Sequence, residues 1–190
     1  MPIQHVNRKG AVYYLHEDIT TTGKPRYFTS TKKDGKLLDA VPDGFEFYED
    51  PNAQVFCRKI LPKHIADQEV KMVKAMMLRN AKTPYVIVDV RKKDIIVYAA
   101  SNDMKERMAI MDRIGRADEA MLRFLEECLH YSPMFKFALV NEKSREFFAY
   151  RWCLLGSIDD WYLLESGSLA TLLKKYARHL GAESFFFVLE

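Results

Sequence analysis

The middle of the chain, Tyr85 to Ala100 (YVIVDVRKKDIIVYAA), has one simple way to hide its side chains: two strands folded back on each other. If Val90 faces Ile95, then Val88 falls opposite Val97 and Val86 opposite Ala99, and one face becomes wholly apolar. That face has to be covered. The other face pairs Tyr85 with Ala100, Ile87 with Tyr98 and Asp89 with Ile96, a mixed surface suited to partial cover or to solvent. Arg91 to Asp94 contains neither Gly nor Asn, so the sequence predicts a four-residue type I loop rather than a tight primed turn, with three cations solvated at its tip.

The cover is encoded just upstream. After Pro62 the apolar period changes from two residues to about 3.6, and Val70, Val73, Met76 and Met77 form one stripe of a helix. Asp67 is its expected N-cap, and Asn80 and Pro84 stop it. Burying those four side chains on the hairpin contributes about 6–10 kcal/mol before the entropy of ordering is subtracted.

Downstream, Asn102 to His130 has helical composition, with Gly115 marking a break, Asp118 recapping a second helix and 102–116 the expected hinge. Phe135 to Val140, Glu146 to Cys153 and Trp161 to Leu164 then read as three antiparallel strands, with Trp152 and Trp161 as cross-strand partners in the core. Ser168 is a natural N-cap for a last helix carrying Leu169, Leu172, Leu173, Tyr176 and Leu180 on one face. Arg178 and His179 suit its C-terminal dipole, and Gly181 closes it. Ser184 to Leu189 (SFFFVL) is expected as a terminal strand paired inside the sheet.

The first sixty residues have a different texture. AVYYL at Ala11 to Leu15, RYFTST at Arg26 to Thr31, FEFY at Phe45 to Tyr48 and QVFC at Gln54 to Cys57 are short strand formers separated by Gly- and Pro-containing turns, which predicts a β-meander. Through residue 36 the chain carries seven cations against three carboxylates; after that the sign reverses. The predicted fold class is therefore α+β, with a β-meander module over 1–60 and a core domain over 61–190. That domain is a mainly antiparallel sheet with helices packed on one face.

Composition narrows the function classes. An apolar fraction of 48% excludes disorder as the main state, and a net charge of +3 falls well short of what marks a nucleic-acid protein by itself. Cys57, Cys128 and Cys153 are odd in number and lie in apolar segments, which predicts buried, reduced thiols in a cytoplasmic protein. There is no apolar run at the start and no stretch long enough for a membrane-spanning helix, so no membrane association is expected.

Four segments, TTTGKPRYFTS at Thr20 to Ser30, PDGFEFYEDPNAQVFCRK at Pro42 to Lys59, GSIDDW at Gly156 to Trp161 and HLGAESFFF at His179 to Phe187, resemble a family of uncharacterised bacterial proteins. The family pattern has an aliphatic residue where this chain has Cys57. The resemblance implies no activity, catalytic residue or cofactor.

The residues supply no catalytic constellation of their own. His5, His16, His64, His130 and His179 are too far apart for a His/Cys metal pattern. Glu127 and His130 have the spacing of a di-iron carboxylate motif but no second copy, and Cys128 and His130 point apart on a helix. Gly23-Lys24 is followed by Pro25 where a phosphate loop needs Ser or Thr, and neither GxSxG nor SxxK occurs. Asp159 and Asp160 project oppositely on an extended chain, and Asp159 is expected to begin a turn or cap a backbone amide before the strand.

The surface that stands out is the amino-terminal hairpin. Lys24, Arg26, Lys32 and Lys33 are interleaved there with Tyr13, Tyr14, Tyr27 and Phe28, and the expected binding residues are Lys24, Arg26, Tyr27, Lys32 and Lys33. Alternation puts about half of these aromatics inside. The leading reading is a non-catalytic interaction module for a protein partner or another copy of the chain, without metal or cofactor. The alternatives are single-stranded nucleic acid held by cations and stacking rings, and an enzyme site assembled from distant groups such as His179, Asp159 and Cys153.

Overall fold

The computed structural model describes residues 1–100, 124, 127–155 and 158–187, with backbone alone for 154, 155, 158 and 159. It divides into two compact units, Met1–Leu61 and Pro62–Glu190. The expected hinge over 102–116 and most of the helical stretch before His130 lie outside the described residues. Glu127, Cys128 and His130 are described, and all three are exposed.

The first unit is built from β1 (Gln4–Val6), β2 (Val12–Ile19) and β3 (Pro25–Ser30), an antiparallel meander, and from β4 (Phe45–Glu49) and β5 (Val55–Lys59), a separate hairpin. The expected single meander is thus two sheets. The connection from β3 to β4 does not turn sharply but runs back along β2, where Glu17 N–H donates to Lys36 O at 3.0 Å and Leu38 N–H to Leu15 O at 2.9 Å. β1 is only three residues, too short for any alternation to reveal it. Leu15, Ala53 and Val55 are its buried centre. The inner face of β3 meets the second hairpin: Tyr27 lies edge-on to Phe45 at 5.0 Å, and the Thr29 hydroxyl donates to Val55 O.

The second unit contains α1 (Asp67–Asn80), β6 (Val86–Arg91), β7 (Asp94–Ala100), β8 (Tyr131–Asn141), β9 (Glu146–Leu155), β10 (Ile158–Ser168) and α2 (Leu169–Tyr176). Its five strands form one antiparallel sheet in the order β10-β9-β8-β7-β6. The central hairpin has the predicted register, Val90 with Ile95, Val88 with Val97 and Val86 with Ala99. Its loop is shorter than predicted. Arg91 pairs with Asp94, so only Lys92 and Lys93 turn the chain, and Lys92 takes the left-handed conformation at φ 55°. The cost of that conformation, about 1–2 kcal/mol, is smaller than the loss from shifting a buried valine and isoleucine row by one residue. The second face of β7 is also more deeply covered than expected. Ile96 and Tyr98 are each 8% exposed.

Val73 and Met77 of α1 and Leu169, Leu172, Leu173 and Tyr176 of α2 share one core with Ile95, Val97, Phe135, Phe137 and Phe147. Helix α1 has its predicted stripe but not its predicted cap. Ala66 is the N-cap, and its N–H donates to Glu69 Oε2 at 2.8 Å, while Asp67 sits in the first turn paired with Lys63 at 2.8 Å. A glutamate reaching back does the work of a capping side chain. Helix α2 starts as predicted, with Ser168 Oγ accepting from Thr171 N–H at 3.3 Å.

Gly181 ends that region at φ 78°, and a Cβ there would lie 3.0 Å from Thr83 N and 3.0 Å from Thr83 Cγ2. The close approach is sealed by Lys82 N–H donating to Leu180 O at 2.7 Å. A Gly181→Ala variant is expected to lose about 2 kcal/mol or more, the left-handed penalty plus displacement of a backbone that cannot swing aside. Urea denaturation measures it, and a loss under about 0.5 kcal/mol would mean the two segments separate freely.

Beyond Gly181 the predicted terminal strand is absent. Glu183–Phe187 is a 3-10 helix, and residues 188–190 lie outside the described part. A helical turn cannot send three consecutive phenylalanines the same way. Phe185 is 3% exposed against Phe135, whereas Phe186 and Phe187 are 65% and 67% exposed. Three carbonyl and amide groups that a strand would offer to a neighbour are instead used locally or given to Arg151.

Candidate functional site

The antiparallel register of β2 and β3 sorts the hairpin into two faces. Tyr14, His16 and Asp18 lie opposite Ser30, Phe28 and Arg26 on the outer face, while Leu15 and Glu17 lie opposite Thr29 and Tyr27 on the inner one. Tyr27, expected among the binding residues, is therefore turned inward against Phe45. Arg26 belongs to the outer face, Lys32 and Lys33 to the loop that folds beside it, and Lys24 to the hairpin tip. At that tip Thr20 Oγ1 accepts from Lys24 N–H at 3.1 Å.

His16 organises the outer face, and sequence reasoning did not single it out. Its ring is 3% exposed and stacks on Phe28 at 5.1 Å with an interplanar angle of 15°. Its Nε2 lies 3.1 Å from Lys32 O, an atom that can only accept, so Nε2 carries the proton of that bond. The bond folds the Lys32–Lys36 loop over the sheet. Together they enclose an open groove of about 550 Å³, lined by His16, Asp18, Phe28, Lys32, Asp34 and Lys36 among others. The signal for this was the cross-strand pairing of His16 with Phe28, which follows once the hairpin register is fixed.

The charges in this groove are mixed. Lys36 is held by Glu17, whose hydrogen bond and charge keep the ammonium above its usual value. Lys33 Nζ sits 5.1 Å above the Tyr14 ring, and the Arg26 guanidinium 5.8 Å from the Phe28 ring while Asp18 lies opposite it on β2. Such cation–π contacts contribute about 0.5–1 kcal/mol at exposed sites. Each of Tyr14, Tyr27 and Phe28 thus already has a ring or a cation against it.

Cys153 is half-buried and receives Arg151 Nη2 at 3.2 Å. His179 accepts or donates to Ser184 Oγ at 2.9 Å through Nδ1, and burial and the neighbouring Arg178 hold it below its usual value. No hydrogen bond or ion pair among the described residues links the two. Asp159 does not precede the strand as expected but lies within β10, paired with Leu154. Asp160 Oδ1 accepts from Trp161 N–H at 2.6 Å.

The cysteines depart from expectation, since Cys128 is exposed and Cys57 half-buried, though burial raises the Cys57 thiol. Trp152 and Trp161 do face each other, at 5.0 Å and 73°, but they are half-buried, with Lys136 Nζ 4.7 Å above Trp161. Among the described residues no group of three or more His, Cys, Asp or Glu side chains is placed to hold a metal ion. No helix among them is long and apolar enough to cross a membrane.

Comparison with known proteins adds no identity: no protein family, no curated protein and no solved structure matches the chain.

Proposed function

We propose that the chain is a non-catalytic interaction module whose amino-terminal unit binds a protein partner through the outer face of β2 and β3. One observation carries the reading. Phe28, 36% exposed and stacked on a buried His16, has Arg26 5.8 Å from its ring and shares its groove with charges of both signs, Lys32 and Lys36 with Asp18 and Asp34. An accessible aromatic anchor inside a mixed polar rim is the anatomy of a protein interface.

A groove for a nucleic-acid backbone would gather cations without carboxylates and leave ring faces free for bases. Here the carboxylates stand among the cations, Lys33 lies over Tyr14, and Tyr27 is turned inward against Phe45. The gathering of Arg26, Lys32 and Lys33 keeps nucleic acid as a defined second outcome of the test.

The experiment compares the full chain with a Phe28→Asp, Arg26→Glu, Lys33→Glu variant, shown to be folded by circular dichroism. Quantitative affinity capture from the source cells is expected to enrich a protein on the wild-type chain by about tenfold or more over the variant, the loss that one anchor residue accounts for. Fluorescence anisotropy with a single-stranded oligonucleotide runs in parallel. Salt-sensitive oligonucleotide binding lost in the variant would replace the protein reading with nucleic acid, and capture that does not distinguish the two chains would remove this face as the interface.

A further inference from the structure

A second surface lies in the 62–190 unit, at the free side of the sheet. Among the described residues β6 pairs on one side only, with β7. Ala100 N–H donates to Tyr85 O, and Arg91 and Asp94 flank the two-residue loop, so the antiparallel alternation aims the backbone of Tyr85, Ile87, Asp89 and Arg91 at β7. The N–H and C=O groups of Val88 and Val90 point the other way. Beside them an open groove of about 390 Å³ runs between this edge and α1, with Met77, Leu78, Pro84, Val86 and Val88 in its walls and Lys74 at its rim. Leu78 is 84% exposed. A row of unpaired backbone groups next to an apolar trough is a template for an added strand.

The charge around this trough selects the occupant. Lys71, Lys74 and Leu78 lie on one side of α1, and Lys92 stands at the far end of β6. Among the described residues no carboxylate pairs with Lys74 or Lys92, and the acid that Lys71 acts on, Asp67, is itself held by Lys63 at 2.8 Å. The nearest acid on β6, Asp89, is already engaged by Arg91 at 2.8 Å. A second copy would bring an identical basic rim against this one and Lys92 toward it, whereas an acidic segment would be drawn in. We propose that β6 receives an extended peptide by strand addition: alternate apolar side chains enter the trough, and acidic side chains meet Lys71, Lys74 and Lys92.

The test uses a phage-displayed library of random decapeptides panned on the full chain. Enriched sequences are expected to alternate apolar and acidic residues. A synthetic copy of the best one should bind at least tenfold more weakly to a Lys71→Glu, Lys74→Glu variant, and equally weakly when its alternate amides are N-methylated. Both substitutions fall on exposed positions of α1 and leave the core intact. Amide exchange provides an independent measurement: Val88 and Val90 should exchange fast in the free chain and become protected on adding the peptide. Slow exchange of those amides in the free chain, a peptide indifferent to N-methylation or to the charge reversal, or a dimer by light scattering that the peptide dissociates would each overturn the proposal.

Discussion

Replacing Phe135 by alanine is expected to destabilise the 62–190 unit by about 3–5 kcal/mol, the range for emptying a large buried site. Phe135 is fully buried on the central strand β8, and its ring contacts are with Phe137 at 6.3 Å, Tyr176 of α2 at 6.3 Å and Phe185 of the terminal 3-10 helix at 5.1 Å. The ring therefore joins sheet, helix and C-terminal segment, and no one of these can close over the vacancy without leaving another. Chemical denaturation followed by tryptophan fluorescence measures the loss, with Trp152 and Trp161 as reporters on β9 and β10. A loss under about 2 kcal/mol would show that the three elements can collapse onto one another, and so that the core is less specific than its packing implies.

The second large effect is expected at Arg151, a guanidinium only 4% exposed. Its Nη1 donates to Phe185 O and to Phe186 O, both at 3.0 Å, its Nη2 to Cys153 Sγ, and its Nε meets no acceptor among the described residues. Among the described residues no carboxylate neutralises it. Arg151→Ala removes the donors from two carbonyls and opens a void, and should cost about 3 kcal/mol or more. Arg151→Met fills the void and eliminates the cost of keeping an unpaired cation out of water, and should be at least about 1 kcal/mol less damaging than alanine. Equal losses in both variants would mean that the carbonyl hydrogen bonds outweigh cavity and desolvation together. Phe185 touches both the Phe135 ring and, at 5.6 Å, the Arg151 guanidinium, so effects of substitutions at 135 and 151 should not simply add.

What the sequence made legible was whatever alternation and helical period could encode. The register of β6 with β7, the stripe of α1, the Ser168 cap and the facing of Trp152 and Trp161 all follow from local spacing, and the structure has them. Three departures share one cause, the dominance of distant partners over local preference. Lys92 adopts a conformation that its own chemistry disfavours because the valine and isoleucine rows on either side must stay buried. Ser184 to Phe187 looks like a strand by composition, but β6 and β10 form the ends of the sheet, and Phe185 is wanted as a plug over Phe135. Residues 31–44 look like a turn and instead run along β2. At the candidate site the cations of the first hairpin were legible and its centre was not. A histidine inside a strand has no local signature, and His16 becomes conspicuous only when Phe28 is placed across from it.

The five-stranded sheet also sets an order of assembly. β6 with β7, and β8 through β10, are joined by short reversals and can zip from their loops, but the seam between β7 and β8 unites residues separated by all of 101–130. Pairing β7 with β8 across that sequence separation, not local zipping, is then the slow step.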